Sequence, residues 1–378
     1  MKTCPVSKKC GGCSLMGMEY EMQLEKKQAY VEKLFPKVKA EPIEGMSDPY
    51  HYRHKVYASF VKDKNGRLSS CMYEEESHKP VFVKECLIQN ELANSIVEEM
   101  VKTANAMHIE PYDERRRTGV LRHAYLRVSH AENTVLLVIV IGSKVLPGSK
   151  EFVKRMTSAF PEIKTVILNY NSAHTSMILG NSEKVLYGSG YIYDQIDGLR
   201  FRISSMSFYQ VNPVQAEKLY RYAISSAELK KSDNVLDACC GTGTIGLLAS
   251  SSCQEVIGME ISKEAIADAK RNAKENHIGN ASFYCSDANE FLQSMEESPD
   301  VVFLDPPRAG FSKEFNQKLI QLSPKKIVYV SCNPETQARD VKQLQRGNYI
   351  IKKMKAFDLF PFTSERHVEN VILLVKKK

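Results

Sequence analysis

Val235-Leu236-Asp237-Ala238-Cys239-Cys240-Gly241-Thr242-Gly243-Thr244 joins a short apolar strand to a glycine-spaced turn, and the helical run Gly246 to Ser250 follows. Glycine permits a tight turn and lets backbone approach a ligand, so this strand–turn–helix predicts a nucleotide-like cofactor, although the usual dinucleotide spacing is absent. Working outward, Glu255 to Ile261 reads as the next strand, and Gly258-Met259-Glu260 sets a carboxylate where it can hold ribose hydroxyls. Ser282 to Cys285 reads as a third strand ended by Asp287, a residue able to reach an adenine amino group. Helices at Gln215 to Ser225 and Lys263 to Asn276, with strands at Val301 to Leu304 and Lys326 to Val330, complete an alternation that predicts an α/β, doubly wound parallel sheet.

The preceding half has a different texture. A charged amphipathic run from Leu15 to Phe35 predicts a helix that Pro36 ends. Short alternating strands follow at Tyr57 to Val61, Val81 to Val83, Tyr125 to Ser129 and Thr134 to Ile141, the last two flanking a hairpin turn, with a helix over Asn90 to Met107 between them. We therefore expect two units: residues 1–203, a cysteine-bearing segment with an α+β domain, and residues 204–378, the α/β domain.

Of 378 residues, 43% are hydrophobic and 26% charged, which fits a globular chain able to bury a sizeable core. No apolar run approaches the roughly 18 to 20 residues that span a bilayer, and the polar start Met1-Lys2-Thr3-Cys4-Pro5 lacks a signal peptide's apolar stretch. A cytoplasmic protein with no membrane association is expected. In that reducing compartment ten cysteines point to metal or catalytic roles rather than paired disulfides. A net charge of +7 favours a polyanionic partner.

Two further strand ends carry polar groups into the crevice where open α/β sheets collect ligands. Asp305-Pro306-Pro307-Arg308 ends the fourth strand, its prolines fixing the backbone that presents Asp305. Ser331-Cys332-Asn333-Pro334 ends the next and places a thiol there. A cofactor, a rigidly held carboxylate and a thiol thus converge.

These blocks carry a resemblance. Asp237 to Gly243, with Glu260 and Asp287, is similar to the S-adenosylmethionine site of Rossmann-like methyltransferases. Together with Ser207-Phe208-Tyr209-Gln210-Val211-Asn212, Asp305 to Arg308, Ser331 to Pro334 and Arg366-His367-Val368-Glu369, it resembles the RNA uracil-5-methyltransferases over the whole C-terminal half. The likeness implies S-adenosylmethionine held by Gln210, Cys239, Gly241, Thr244, Glu260, Asp287 and Asp305. Cys239 stands where an aromatic residue is common, so its contact is expected through backbone. The resemblance also implies Cys332 as a covalent catalyst and Glu369 as the base. Carbon 5 of uracil is too weak a nucleophile for a sulfonium methyl group; a thiolate adding at carbon 6 makes it an enolate carbon, and a base must then take the carbon 5 proton. A free thiol has a pKa near ~8.5, so the site must help it ionise.

Cys4, Cys10 and Cys13, with Cys86 in Lys-Glu-Cys-Leu, are poor zinc-ribbon spacing because a second C-x2-C is missing. Similar spacing in the ribosomal-RNA branch of the family binds a [4Fe–4S] cluster, which implies these four thiols as ligands, with a structural zinc as the alternative. That branch implies 23S ribosomal RNA as the partner, in a monomer with no obligatory protein partner; the same chemistry on transfer RNA, or a non-catalytic assembly factor, are the rivals. Many members carry an N-terminal β-barrel RNA-binding domain, for which this chain leaves no room before Cys4. Arg115, Arg116, Arg117, Arg122, His123 and Arg127, with Tyr50, Tyr52, Arg53, Lys55 and Tyr57, mix cations and aromatic faces as single-stranded RNA recognition requires.

Overall fold

The computed structural model describes residues 2–377 except 76 and 78. In chain order its elements are α1 (Tyr20–Leu34), β1 (Glu41–Glu44), β2 (Lys55–Lys62), β3 (Leu68–Tyr73), β4 (Pro80–Phe82), α2 (Glu91–Ala106), β5 (Leu121–Val128), β6 (Val135–Ile141), α3 (Ser149–Ala159), β7 (Ile163–Tyr170), β8 (Ser182–Tyr187), β9 (Tyr191–Ile196) and β10 (Leu199–Ser204). The second half continues with α4 (Pro213–Ala227), β11 (Asn234–Ala238), α5 (Thr244–Ala249), β12 (Glu255–Glu260), α6 (Lys263–Glu275), β13 (Ala281–Cys285), α7 (Ala288–Ser294), β14 (Val301–Leu304), α8 (Lys313–Leu322), β15 (Lys326–Ser331), α9 (Pro334–Leu344), β16 (Tyr349–Phe357) and β17 (Glu369–Lys376).

An eight-stranded sheet runs β1-β16-β17-β15-β14-β11-β12-β13. Its centre is parallel, as the alternation of strands and helices requires, but β17 is antiparallel to both β15 and β16. The expected all-parallel sheet is therefore mixed. The reason lies in the connection: β16 and β17 are joined by a loop, residues 358–368, that turns the chain back, rather than by a crossover helix. β15 and β17 face core on both sides, so their apolar residues run without alternation.

A seven-stranded sheet, β4-β3-β2-β5-β6-β7-β8, forms the first half. β5 and β6 make the expected hairpin, while β6 and β7 are parallel with α3 as their crossover. α3, β3 and β7 to β10 were not legible as separate elements. One face of this sheet packs under α2 and α3. From its other face Tyr125, Leu136, Val138 and Val140 join the core of the second half, with Leu219, Phe303 and Val371. A further link is β1, which pairs parallel to β16 at the edge of the larger sheet. Among the described residues, no helix is long and apolar enough to cross a membrane.

Candidate active site

At the carboxyl ends of β11, β12, β14 and β15 lies a cleft of about 1230 Å³. Gln210, Cys239, Gly241, Thr244, Glu260, Asp287, Asp305, Cys332 and Glu369 all line it, so residues spread over 160 positions meet in one place.

The loop after β11 has the geometry its glycines predict. Cys239, Gly241 and Gly243 have φ of 61°, 54° and 81°. A Cβ at Gly243 would lie 2.8 Å from the Phe283 ring, so this glycine answers to both a left-handed backbone and a close approach. Glu260 accepts from the Gly241 and Ser262 N–H groups at 3.3 and 3.1 Å, which ties the loop to the end of β12. Asp287 is exposed and caps α7 by accepting from Asn289 and Glu290 N–H through Oδ1. Asp237, not singled out from sequence as a contact, is wholly buried: Oδ2 accepts from Gly246 N–H at 2.8 Å, while Oδ1 has no partner. Burial pushes this carboxyl up to about 7. A buried acceptor without a donor costs free energy, and one lining a cleft fits a ligand that donates. The cradle and its carboxylates fit S-adenosylmethionine.

Across the cleft sit the groups for chemistry. Burial raises Asp305 to about 7. Burial, then the charge of Asp305, raises Glu369 to about 8, against the opposing charge of Arg308. The Cys332 thiol is pushed up to about 11 by burial and by Glu369 and Asp305, with Arg308 again opposing. In the free protein the two neighbouring acids disfavour a further negative charge on the thiol. Arg308 is a further site residue, its signal being the last position of Asp-Pro-Pro-Arg. Phe360 and His367 also line the cleft; His367 falls in the Arg366 to Glu369 block, whereas nothing in its sequence context announced Phe360. Phe208, 59% exposed, offers a bare aromatic face at the rim.

The sequence-derived RNA residues divide. Arg115, Arg116 and Arg117 are exposed on a loop, whereas Arg122, His123, Arg127 and Tyr52 are buried and are corrected to structural roles. Arg122 donates to Glu114 at 2.8 Å and to the carbonyls of Asn171, Ala173 and Thr175. Arg127 donates to the Ser207 and Tyr209 carbonyls and so fixes the segment presenting Phe208 and Gln210. Lys55, half-buried, lines the cleft itself, and burial followed by the charges of Arg127 and Arg53 lowers it to about 8.

Cys4, Cys10, Cys13 and Cys86 line one separate cavity of about 90 Å³. Burial, then the charges of Cys86, Cys10 and Cys4, pushes Cys13 up to about 12, and the N–H groups of Ile88 and Gln89 point at Cys86. Among the described residues, no three ligand-type side chains converge as they would on a single ion.

Comparison with known proteins bears on this geometry. The family model for tRNA (uracil-5-)-methyltransferase matches residues 19–377. An uncharacterized RNA methyltransferase of Oceanobacillus iheyensis is 40% identical over 99% of this chain and 83% of its own length. One of Listeria monocytogenes is 38% identical over 98% and 83%. The crystal structure of Pyrococcus abyssi tRNA (uracil-54, C5)-methyltransferase in complex with S-adenosyl-L-homocysteine superposes with a TM-score of 0.82 at 27% identity, over 99% of this chain and 88% of that one.

Proposed function

The chain belongs to the tRNA (uracil-5-)-methyltransferase family, and from that premise we propose that it methylates carbon 5 of a specific uridine in 23S ribosomal RNA. The observation that carries the chemistry is the convergence of Cys332, Glu369 and Asp305 in the cleft that also holds the glycine cradle. S-adenosylmethionine, when bound by Gln210, Cys239, Gly241, Thr244, Glu260, Asp287 and Asp305, supplies the electrophilic methyl group.

Phe208 stacks on the extruded uracil; extrusion costs a few kcal/mol, drawn from contacts elsewhere on the RNA. Cys332 Sγ adds to carbon 6 and the ring becomes an enolate. The thiol proton passes to solvent water in the open cleft as Sγ adds, which leaves Glu369 free for the later step. Asp305 and Arg308 hold the uracil edge. After transfer, Glu369 takes the carbon 5 proton, and the electrons of that C–H bond expel the Cys332 thiolate. A Glu369 carboxyl raised to about 8 suits it to take and return a proton near neutrality.

The cysteine quartet supports the ribosomal branch. A [4Fe–4S] cluster is held by four thiolates spaced around a core rather than converging on one ion, and Cys4, Cys10, Cys13 and Cys86 line a single cavity. Transfer of a methyl group needs no electron, so the cluster's role is structural. In this reading residues 1–203 bind RNA through Arg115, Arg116 and Arg117, residues 204–378 perform the chemistry, and the protein works in the cytoplasm as a monomer.

Transfer RNA is the second reading, favoured by the Pyrococcus abyssi structure. Mapping 5-methyluridine in ribosomal and transfer RNA from cells with and without the gene decides between them. Loss from 23S RNA alone is expected; loss from transfer RNA alone overturns the assignment.

A further inference from the structure

Glu369 is reached through a loop that leaves β16 at Phe357 and enters β17 at Glu369 itself. That loop is gripped from outside the methyltransferase fold. Lys27, on α1, has Nζ 2.6 Å from Asp358 Oδ1, 2.9 Å from the Phe360 carbonyl and 3.1 Å from the His367 carbonyl. All three ammonium hydrogens are directed at one loop, near both of its ends. Lys27 and Asp358 are each 0% exposed.

The rest of the same helix face adds to the grip. Tyr20 OH donates to Asp358 Oδ2 at 2.9 Å, and the Phe362 N–H donates to Gln23 Oε1 at 2.9 Å. Tyr20, Gln23 and Lys27 recur at three and four residues, so they share one side of α1. From α4 and its cap, Asn212 and Gln215 donate to the Leu359 and Asp358 carbonyls at 3.1 and 3.2 Å. The held segment bears Phe360 and His367, which line the cleft beside Glu369.

A buried ion pair is weak evidence for a stabilising device, since hydrocarbon of similar volume often serves as well. What hydrocarbon cannot do is fix two carbonyls seven residues apart in the chain to one point. We propose that Lys27 is a positioning residue for proton removal: by fixing residues 358–367 it holds the Glu369 carboxylate in register with carbon 5 of the substrate ring. The inference rests on the reading of Glu369 as the base. Cys332 is carried at the end of β15 rather than on this loop, so its addition is expected to depend on the loop less than proton removal does.

The test uses the full-length protein, its RNA and labelled S-adenosylmethionine, and measures thermal midpoint, covalent adduct formation and product release separately. Lys27→Met alone strands Asp358, so the informative variant is Lys27→Met with Asp358→Leu, which removes both charges. We expect a lowered midpoint, because the Phe360 and His367 carbonyls and the Tyr20 hydroxyl lose their partners, but well below it adduct formation within about twofold of wild type and release slowed about 10- to 100-fold, the scale of a misplaced catalytic group. Labelled adduct should accumulate on a denaturing gel. Lys27→Gln, which keeps two N–H donors, should release faster than Lys27→Met. Normal release in the double variant, or addition and release slowed alike, overturns the proposal. Glu369→Gln is run alongside: if it stalls and the double variant does not, only the Lys27 inference fails; if it does not stall, the base assignment fails and the inference with it.

Discussion

Two buried polar regions lie close together along the chain near its C-terminus and are built on opposite terms. Around Asp358 every charge has a partner: its carboxylate meets an ammonium and a phenol, and its backbone carbonyl meets an amide. Around Glu369 the groups gather without partners: burial raises Asp305, and burial with the charges of neighbouring acids raises Glu369 and Cys332. Asp358 is sealed from water, whereas the second region lines an open cleft. The difference teaches which polar burial is scaffold and which is waiting for a ligand: complete satisfaction rigidifies, whereas incomplete satisfaction stores a demand that substrate and cofactor meet.

The largest effect that would test this contrast is at the thiol. Cys332→Ala should abolish methylation and 5-fluorouridine trapping while cofactor affinity, measured by calorimetry, stays unchanged; methylation near the wild-type rate would refute covalent catalysis. Next, Glu369→Gln should slow release about 10²- to 10⁴-fold and leave methyl-labelled protein–RNA adduct on a denaturing gel. Free product at the normal rate would move the base elsewhere. On the satisfied side, Lys27→Met should cost about 3–5 kcal/mol in urea unfolding, because it leaves a buried carboxylate without its cation.

A smaller effect follows from pH. Asp237 and Asp305 at about 7 and Glu369 at about 8 are all raised, so the unfolded chain gives up these protons first. Their stability contribution is complete below the usual carboxylate range and lost as pH climbs to about 8. Urea midpoints should fall over that window, and Glu369→Gln should flatten its upper end; a wild-type midpoint that rises with pH contradicts the sign. Release of product should conversely speed up through about pH 8. Smallest of all, replacing Arg115, Arg116 and Arg117 with glutamine should flatten the salt dependence of RNA binding by about one counterion for each phosphate these arginines neutralise.

Much of the cleft was legible because its residues sit at strand ends that punctuate themselves. Asp237 to Gly243, Asp305 to Arg308 and Ser331 to Pro334 each follow an apolar run and break it with glycine or proline, so strand, turn and polar group are read together. Phe360 and Lys27 carry no such mark. Their place depends on β16 and β17 turning back antiparallel and on α1 lying against that turn, a meeting of residues more than 300 positions apart that no local pattern encodes. Buried Arg122 and Arg127 misled for a related reason: an arginine that forks onto backbone carbonyls has the same sequence appearance as one that meets phosphate.

The pairing of β1 with β16 bears on the order in which the protein is made. As the chain emerges from the ribosome, Glu41–Glu44 must wait for Tyr349–Phe357 before it has a strand to join, and Lys27 must wait equally long for Asp358. Until then the face of α1 that carries Tyr20, Gln23 and Lys27 stays in water without its partners in the loop, so it has little reason to dock early. Synthesis proceeds at about 5–20 residues per second, so that delay lasts many seconds. The grip on the Glu369 loop is therefore among the last native interactions to form, and a truncated chain lacking its final strands cannot assemble the base by accident.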